Sequence, residues 1–361
     1  MSNELKNKAD ELRVIPRQDT LEEILTPIAR RERGDAQVAP LWAAKLHHSY
    51  SRTMETVYLE YAAANGDVAP IDSSVSPAAD VWEYYLVDQA GFADFIDDDG
   101  KVMPSSSMTA SRHTGKMAEM GHSYDVTIFD LERAAAAGVP LNTLKQKHAK
   151  KSHDALTNWT WLFGDNAQGI VGLCTHPNIS VAFAPLNAGS TSRLWANKTA
   201  AEIATDVSAM INAVAENTLE AYHAATVFLP FSLIRRLRDL TVDTGSGPGP
   251  AYSVLDWMQS RFSGDPETGQ GKVAFRGLNE CEASRRFDPR TRTDTTGLSG
   301  DFCLVLPQAS SDELAFIRAR PFTQRPPQDR DLVLHHITHS KIGGCKLQIP
   351  LAVHRFDFGT T

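Results

Sequence analysis

The chain has 361 residues, 42% hydrophobic and 22% charged, with 36 Lys and Arg against 44 Asp and Glu for a formal net charge of -8. Such a composition excludes a largely disordered chain and fits one domain with long excursions or two compact ones. The acidic balance argues against a general nucleic-acid binder, because affinity for phosphates comes mainly from Lys and Arg, and leaves room only for a local cationic face.

Residues 1–75 carry amphipathic fragments such as Leu21 to Ile28, broken by Pro16, Pro27, Pro40 and Pro70. They read as an extended arm lying on other surfaces, with a small helical subdomain as the competitor. From Val81 to Ile96 the sequence turns aromatic and aliphatic (Trp82, Tyr84, Tyr85, Leu86, Phe92, Phe95, Ile96), and this stretch is expected to be buried. Residues 97–125 follow, opening on Asp97-Asp98-Asp99-Gly100 and rich in Ser, Thr, Met and charge. A segment this long without a core pattern is no routine connection. Folded as a two-stranded projection, its arms would reach about 45 Å. An isolated hairpin is marginal in water, so an ordered one needs a neighbouring copy to lie on; a disordered loop is the alternative. The side chains available for that contact are Lys101, Met103, Met108, Arg112, Lys116 and Met117.

Thr127, with Asp130 three positions on, starts a short helix that ends at Gly138-Val139-Pro140. Pro140 to Phe163 is then a long spine helix of roughly 36 Å, with Pro140 suited to its first turn and Gly164 to its stop. Leu141, Leu144, His148, Ala155, Trp159 and Leu162 form its expected seam. Lys145, Lys147, Lys150 and Lys151 against Asp154 form a cationic flank, read as solvated surface or as a face for nucleic acid or an acidic partner. Gly164, Gly169 and Gly172 punctuate a turn region that runs to His176-Pro177-Asn178.

Thr199 with Glu202 is a capping box, and Ile203, Val207, Met210, Ile211 and Val214 are the seam of a helix to Asn217. A strand over Ala225 to Leu229, a helix over Phe231 to Leu240, the loop Gly245 to Pro250, a helix over Val254 to Arg261 and a strand over Phe302 to Leu306 make residues 195–325 an α/β lobe. Leu332 to Thr338 and Cys345 to Phe358 are strand-like and are expected to return beside the spine.

Few of these residues converge on chemistry. Gly245-Ser246-Gly247-Pro248-Gly249 lacks the Gly-Lys-Ser/Thr ending of a phosphate loop. Gly121-His122-Ser123-Tyr124-Asp125 approaches a nucleophile elbow but has Asp125 where the second glycine belongs, which leaves a cytosolic serine hydrolase using Ser123 as the alternative of a different class. His335 and His339 would face one side of a strand and His336 the other, so they read as surface histidines rather than a metal site. Cys174, Cys281, Cys303 and Cys345 lack a Cys-x-x-Cys pair, and the N-terminus lacks an apolar signal core, so free thiols in a reducing, cytoplasmic compartment are expected. No run reaches the roughly 18 apolar residues of a membrane helix. No catalytic, cofactor or metal residue is assigned.

The ordered set of segments resembles the major capsid proteins of tailed bacteriophages with the Hong Kong ninety-seven type fold, also seen in encapsulin shells. The resemblance is carried by Tyr124-Asp125-Val126-Thr127 leading into Leu131-Glu132-Arg133-Ala134, by Gly138-Val139-Pro140-Leu141 and the long helix, and by Phe163-Gly164 with His176-Pro177-Asn178. Thr226-Val227-Phe228-Leu229-Pro230 and Ser253-Val254-Leu255-Asp256-Trp257 extend it. It implies an α+β fold with an N-terminal arm (1–75), a peripheral-domain entry (76–96), an extended loop (97–125), a peripheral domain with the spine helix (126–195 with 326–361) and an α/β axial domain (196–325). It also implies a non-enzymatic subunit of the virion capsid, assembled in the host cytoplasm as hexamers and pentamers around double-stranded DNA. The expected partners are further copies of the chain and separate scaffold, portal and decoration proteins, with no membrane. Met1 at the start favours a separate scaffold. An encapsulin-like compartment is the alternative with the same fold.

Overall fold

The computed structural model describes residues 61–93, 105–189, 191–242, 252–264, 271–308 and 310–359. Most of the expected arm, the loop Gly245 to Pro250, Lys101 and Met103 lie outside the described residues. In chain order the elements are α1 (Ala62–Asn65), β1 (Ile71–Asp72), β2 (Val81–Ala90), β3 (Ser107–Thr127), α2 (Ile128–Ala136), α3 (Leu141–Phe163), β4 (Ser180–Phe183) and α4 (Ala200–Asn217). They continue with β5 (Ala224–Leu229), α5 (Phe231–Asp239), β6 (Thr241–Val242), β7 (Tyr252–Ser253), α6 (Val254–Arg261), β8 (Ala274–Gly277), β9 (Phe302–Pro307), β10 (Leu314–Gln324), β11 (Gln328–Arg330), β12 (Val333–Leu347) and β13 (His354–Asp357).

The spine helix α3 runs from its N-cap Pro140 to Gly164, whose φ of 76° is the left-handed conformation that glycine adopts without strain. The four C-terminal carbonyls that a helix leaves without intrahelical partners are all occupied here. Gly164 N donates to Thr160 O (2.8 Å), Leu173 N to Trp161 O (2.9 Å), Cys174 N to Leu162 O (2.7 Å) and Thr175 Oγ1 to Phe163 O (2.8 Å). The chain can turn back so tightly because Gly172 packs against Gly164: a Cβ at Gly172 would lie 2.2 Å from Gly164 N.

The buried side of α3 differs from the expected seam. His148 is exposed, Leu141, Leu144 and Ala155 are half-buried, and the buried set is Ala149, His153 and every residue from Thr157 to Phe163. The first part of the helix rests on the sheet along one stripe, whereas its last two turns enter the core and are covered all round, so one 3.6-residue pattern describes only the first part. Buried polar groups there are paired: Asn158 Oδ1 accepts from Ala63 N (2.9 Å) and Asn158 Nδ2 donates to Glu280 Oε1 (2.6 Å). Trp161, fully buried, stacks on Phe316 at 4.9 Å and donates from Nε1 to Gly343 O (3.1 Å).

A six-stranded sheet has the order β1-β10-β12-β3-β2, with β11 also on β12, and a five-stranded sheet has the order β4-β13-β9-β5-β8. β9 is buried at every position, as its unbroken apolar run predicts for a strand covered on both faces. Phe302, Leu304 and Leu306 enter the core around Trp161 and Phe163, while Cys303 and Val305 join the core around α4, with Ile203, Val207, Met210 and Ile211. α4 has the expected capping box between Thr199 and Glu202, and α6 the expected bounds.

Three expectations change. β12 is one continuous strand through Gly343-Gly344, not two strands with a break. β10, placed with the axial residues 196–325, pairs with β12 and β1, while β4 and β13, placed with the peripheral residues, pair with each other and β13 with β9. Strand pairing joins segments remote in sequence, which composition along the chain does not reveal. Third, Val81–Ala90 is not buried: Val81, Tyr85 and Val87 are about half exposed. Its even positions face the body and its odd positions face away, so apolar residues on both faces gave the pattern of a covered strand although one subunit covers only one face.

Candidate assembly surface

β2 pairs antiparallel with the first half of β3, in register from Val81↔Lys116 to Ala90↔Ser107. The second half of β3 pairs with β12, from Met117↔Gly343 to Thr127↔Val333. A single 21-residue strand therefore begins in a projecting hairpin and ends in the centre of the sheet. Ten paired residues span roughly 33 Å. Residues 117–125, expected in the excursion, belong to the sheet, and the partner arm comes from residues 81–90.

The root of the hairpin is held firmly. The Trp82 ring lies over Gly115, where a Cβ would come within 2.4 Å of it, and Trp82 Nε1 would be 2.9 Å from a Cβ at Gly343. Tyr84 stacks between Trp82 (6.0 Å) and His113 (5.1 Å) and donates from its hydroxyl to Leu347 O (2.9 Å). Buried Lys341 holds Asp80 at 3.0 Å, just before β2 begins. Beyond this root every residue from Val87 to Ala90 and from Ser107 to Thr114 is exposed.

Antiparallel register places opposed residues on one face. Val81, Tyr85 and Val87 therefore share a face with Met108, Arg112 and Lys116. Val81, Tyr85, Val87 and Met108 are 49%, 60%, 50% and 68% exposed, so the apolar surface is concentrated on the side turned from the body. Arg112 bridges to Glu83 at 2.6 Å on this open face, a pair that positions the guanidinium more than it stabilises the strand. Lys116 folds back over the turn at Gly169, and Met117 is half-buried at the sheet junction. Tyr85 and the 73%-exposed Phe92, with Val87 between them, read from sequence as part of a buried stretch rather than as contact residues. The signal that identifies them is the apolar character of both alternating faces of β2. A projecting edge strand with a one-sided apolar face is the kind of surface that proteins cover by association.

The other sequence candidates do not assemble into a reactive site. Among the described residues no group of three or more His, Cys, Asp or Glu side chains is placed to hold a metal ion. His336 is buried rather than a surface residue, stacked on Tyr124 at 4.7 Å and bonded to Gln324 (2.9 Å), whereas His335 pairs with Asp125. Ser123 sits mid-strand opposite Ile337, without the strand-to-helix turn of a nucleophile elbow. The four cysteines are buried and unbridged, and burial pushes the Cys174 thiol up to about 12, away from thiolate chemistry. No helix among the described residues is long and apolar enough to cross a membrane.

His153 is the titratable group with the clearest consequence. It lies between α3 and the sheet, with Ser340 Oγ at 2.8 Å, Thr338 Oγ1 at 3.2 Å and the edge of Phe322 at 5.2 Å. Burial, reinforced by His122 and His339, holds its pKa down to about 4. In the unfolded chain it would titrate near 6.5, so between these values the unfolded state binds the extra proton. The contribution is complete above about 6.5 and is lost as pH falls toward 4, to at most about 3 kcal/mol. Urea midpoints measured from pH 7 to 4.5 are expected to fall less steeply in His153→Gln than in the parent; parallel slopes would contradict this assignment.

The fold is shared with known shells. The capsid of the Myoviridae phage XM1 matches with a TM-score of 0.69 at 12% identity over 90% of this chain and 99% of that one. A structure of Mycobacterium phage Bobi matches with a TM-score of 0.58 at 11% identity, over 91% of this chain and all of that one. The capsid of an empty GTA particle gives 0.54 at 10%, over 91% and 100%. No curated protein matches the sequence significantly. At these identities the structures speak for the fold, the Hong Kong ninety-seven type expected from the ordered segments. A family model described as "Major capsid protein" matches residues 91–358, so the chain belongs to the major capsid protein family.

Proposed function

We propose that this capsid protein closes an icosahedral head from hexamers and pentamers of itself, around double-stranded DNA, and performs no catalytic step. The observation that carries the reading is the hairpin whose apolar face, Tyr85, Val87 and Met108, is turned away from its own subunit. Laid across a neighbour, each such face adds a modest contact, and contacts repeated round a ring combine by multivalency while each stays weak enough to correct during growth. Met108 and Arg112 are the contact residues on that face, and Lys101, Met103, Lys116 and Met117 are the further candidates of the same segment.

In this reading the six-stranded sheet with α3 is the peripheral domain, and the five-stranded sheet with α4, α5 and α6 is the axial domain whose loops meet at the capsomer centre. This replaces a boundary at residue 325 with one drawn by strand pairing. Scaffold, portal and decoration proteins are separate partners, and assembly takes place in the host cytoplasm. Expression of the chain with and without a co-expressed scaffold, followed by electron microscopy and analysis of nuclease-protected contents, tests the reading. Closed particles are expected; a monomer under all conditions would overturn it, and particles that enclose only protein would redirect it to a compartment shell.

A further inference from the structure

The cationic flank of α3 does not face open solvent alone. It borders a groove of about 390 Å³ between the helix and β10, lined by Lys147, Lys150, Asp154, Arg318 and Arg320 and floored by Phe322. Among the described residues that line it, four cations face one carboxylate, in a chain whose net charge is -8. The arrangement follows from two periodicities. Lys147, Lys150 and Asp154 are three and four apart on the helix, and Arg318 and Arg320 are two apart on the strand, so both rows point into one space. Asp154 is half-buried, and burial raises its carboxyl against the pull of Lys150 and Arg318. Arg318 is fixed by stacking on Trp161 (5.0 Å) and by donating to Ala64 O (2.9 Å). Lys150 and Arg320 donate no hydrogen bond to the described residues, and both line the groove.

We propose that this groove is a phosphate-contact site for double-stranded DNA, a local grip inside a shell that is otherwise acidic. The inference rests on the capsid reading and adds to it a place of contact. DNA fits better than an acidic peptide. Arg clusters hold acidic peptide motifs as well, so the choice follows from the capsid reading, in which double-stranded DNA is the polyanion enclosed with every subunit. What the groove offers is point charges, Lys147 and Lys150 about 4.5 Å apart along α3 with Arg318 and Arg320 on the facing strand. The phosphate backbone is a dense line of charge that such a cluster can neutralise without reading sequence.

The test uses the full chain kept below its assembly concentration and a fluorescent 30-base-pair duplex of arbitrary sequence. Anisotropy is recorded over a series of salt concentrations for the parent, for Lys150→Gln with Arg320→Gln, and for a control, Arg235→Gln with Arg238→Gln, on the exposed side of α5. The groove variant is expected to bind about tenfold more weakly in low salt and to lower the slope of log K against log salt by about 1.8, while the control changes neither. Should the double variant melt early, Lys150→Gln alone, at an exposed helix position, is expected to lower the slope by about 0.9. Unchanged slopes, an equal loss in the control, or displacement of the duplex by polyglutamate at lower charge concentration than by unlabelled duplex would overturn the proposal. Particle formation is scored separately by microscopy, so a failure of the groove is distinguishable from a failure of the capsid reading.

Discussion

Trp161→Ala is expected to destabilise the subunit by about 3 to 5 kcal/mol, the range for removing a large aromatic side chain from a closed core. Trp161 has no exposed surface, stacks nearly parallel on Phe316 of β10, carries Arg318 over its other side and donates to Gly343 O of β12. It therefore joins the spine helix to two strands of the six-stranded sheet. Its loss leaves a cavity, an orphaned carbonyl and a guanidinium without its platform. Thermal melting of the unassembled subunit is expected to fall by roughly 10 °C. A fall worth less than about 1 kcal/mol would mean that the helix–sheet junction is held elsewhere.

Replacing Tyr85, Val87 and Met108 with Ser is expected to leave that stability within about 0.5 kcal/mol, because these side chains are largely exposed in the subunit. Assembly is a different matter. Covering three such side chains contributes on the order of 5 kcal/mol at each contact, and a shell repeats the contact in every subunit, so particle yield is expected to drop to background. Sedimentation of the triple variant beside the parent reads both outcomes. Normal particles from the variant would show that this face is not where copies meet. A folded subunit that no longer assembles separates a surface role from the core role of Trp161.

The parts of the fold that were legible in the sequence are those decided by local chemistry. Pro140 and Gly164 bracket α3 because one lacks an N–H that a first turn does not need and the other accepts a left-handed turn. Thr199 with Glu202 fixes the start of α4 by the same logic. The illegible parts are decided by partners distant in sequence. Gly343 and Gly344 read as a break in a strand, yet they continue β12 because Trp82 and the Val171 backbone approach too closely for any side chain. Polar Lys341 in the same strand is buried, with its Nζ 3.0 Å from Asp80 at the hairpin root.

The candidate surface was half legible for the same reason. Met108, Arg112 and Lys116 were identified by their place in a long excursion and do share a face. Tyr85 and Val87 read as core from sequence because their pattern is that of buried strand residues, whereas the subunit leaves them about half exposed. His153 was missed because the seam of α3 was phased on His148, whereas contact with Ser340 and Thr338 decides which histidine is enclosed.

In the proposed shell this hairpin finds its missing cover on a sibling subunit. A cryo-electron microscopy map of assembled particles, at a resolution that traces strands, tests it most directly. Density for residues 81–90 and 107–116 is expected to cross a subunit boundary, with Tyr85, Val87 and Met108 seated on the adjoining copy. A hairpin bent back over its own sheet, or standing free between ordered neighbours, would contradict it.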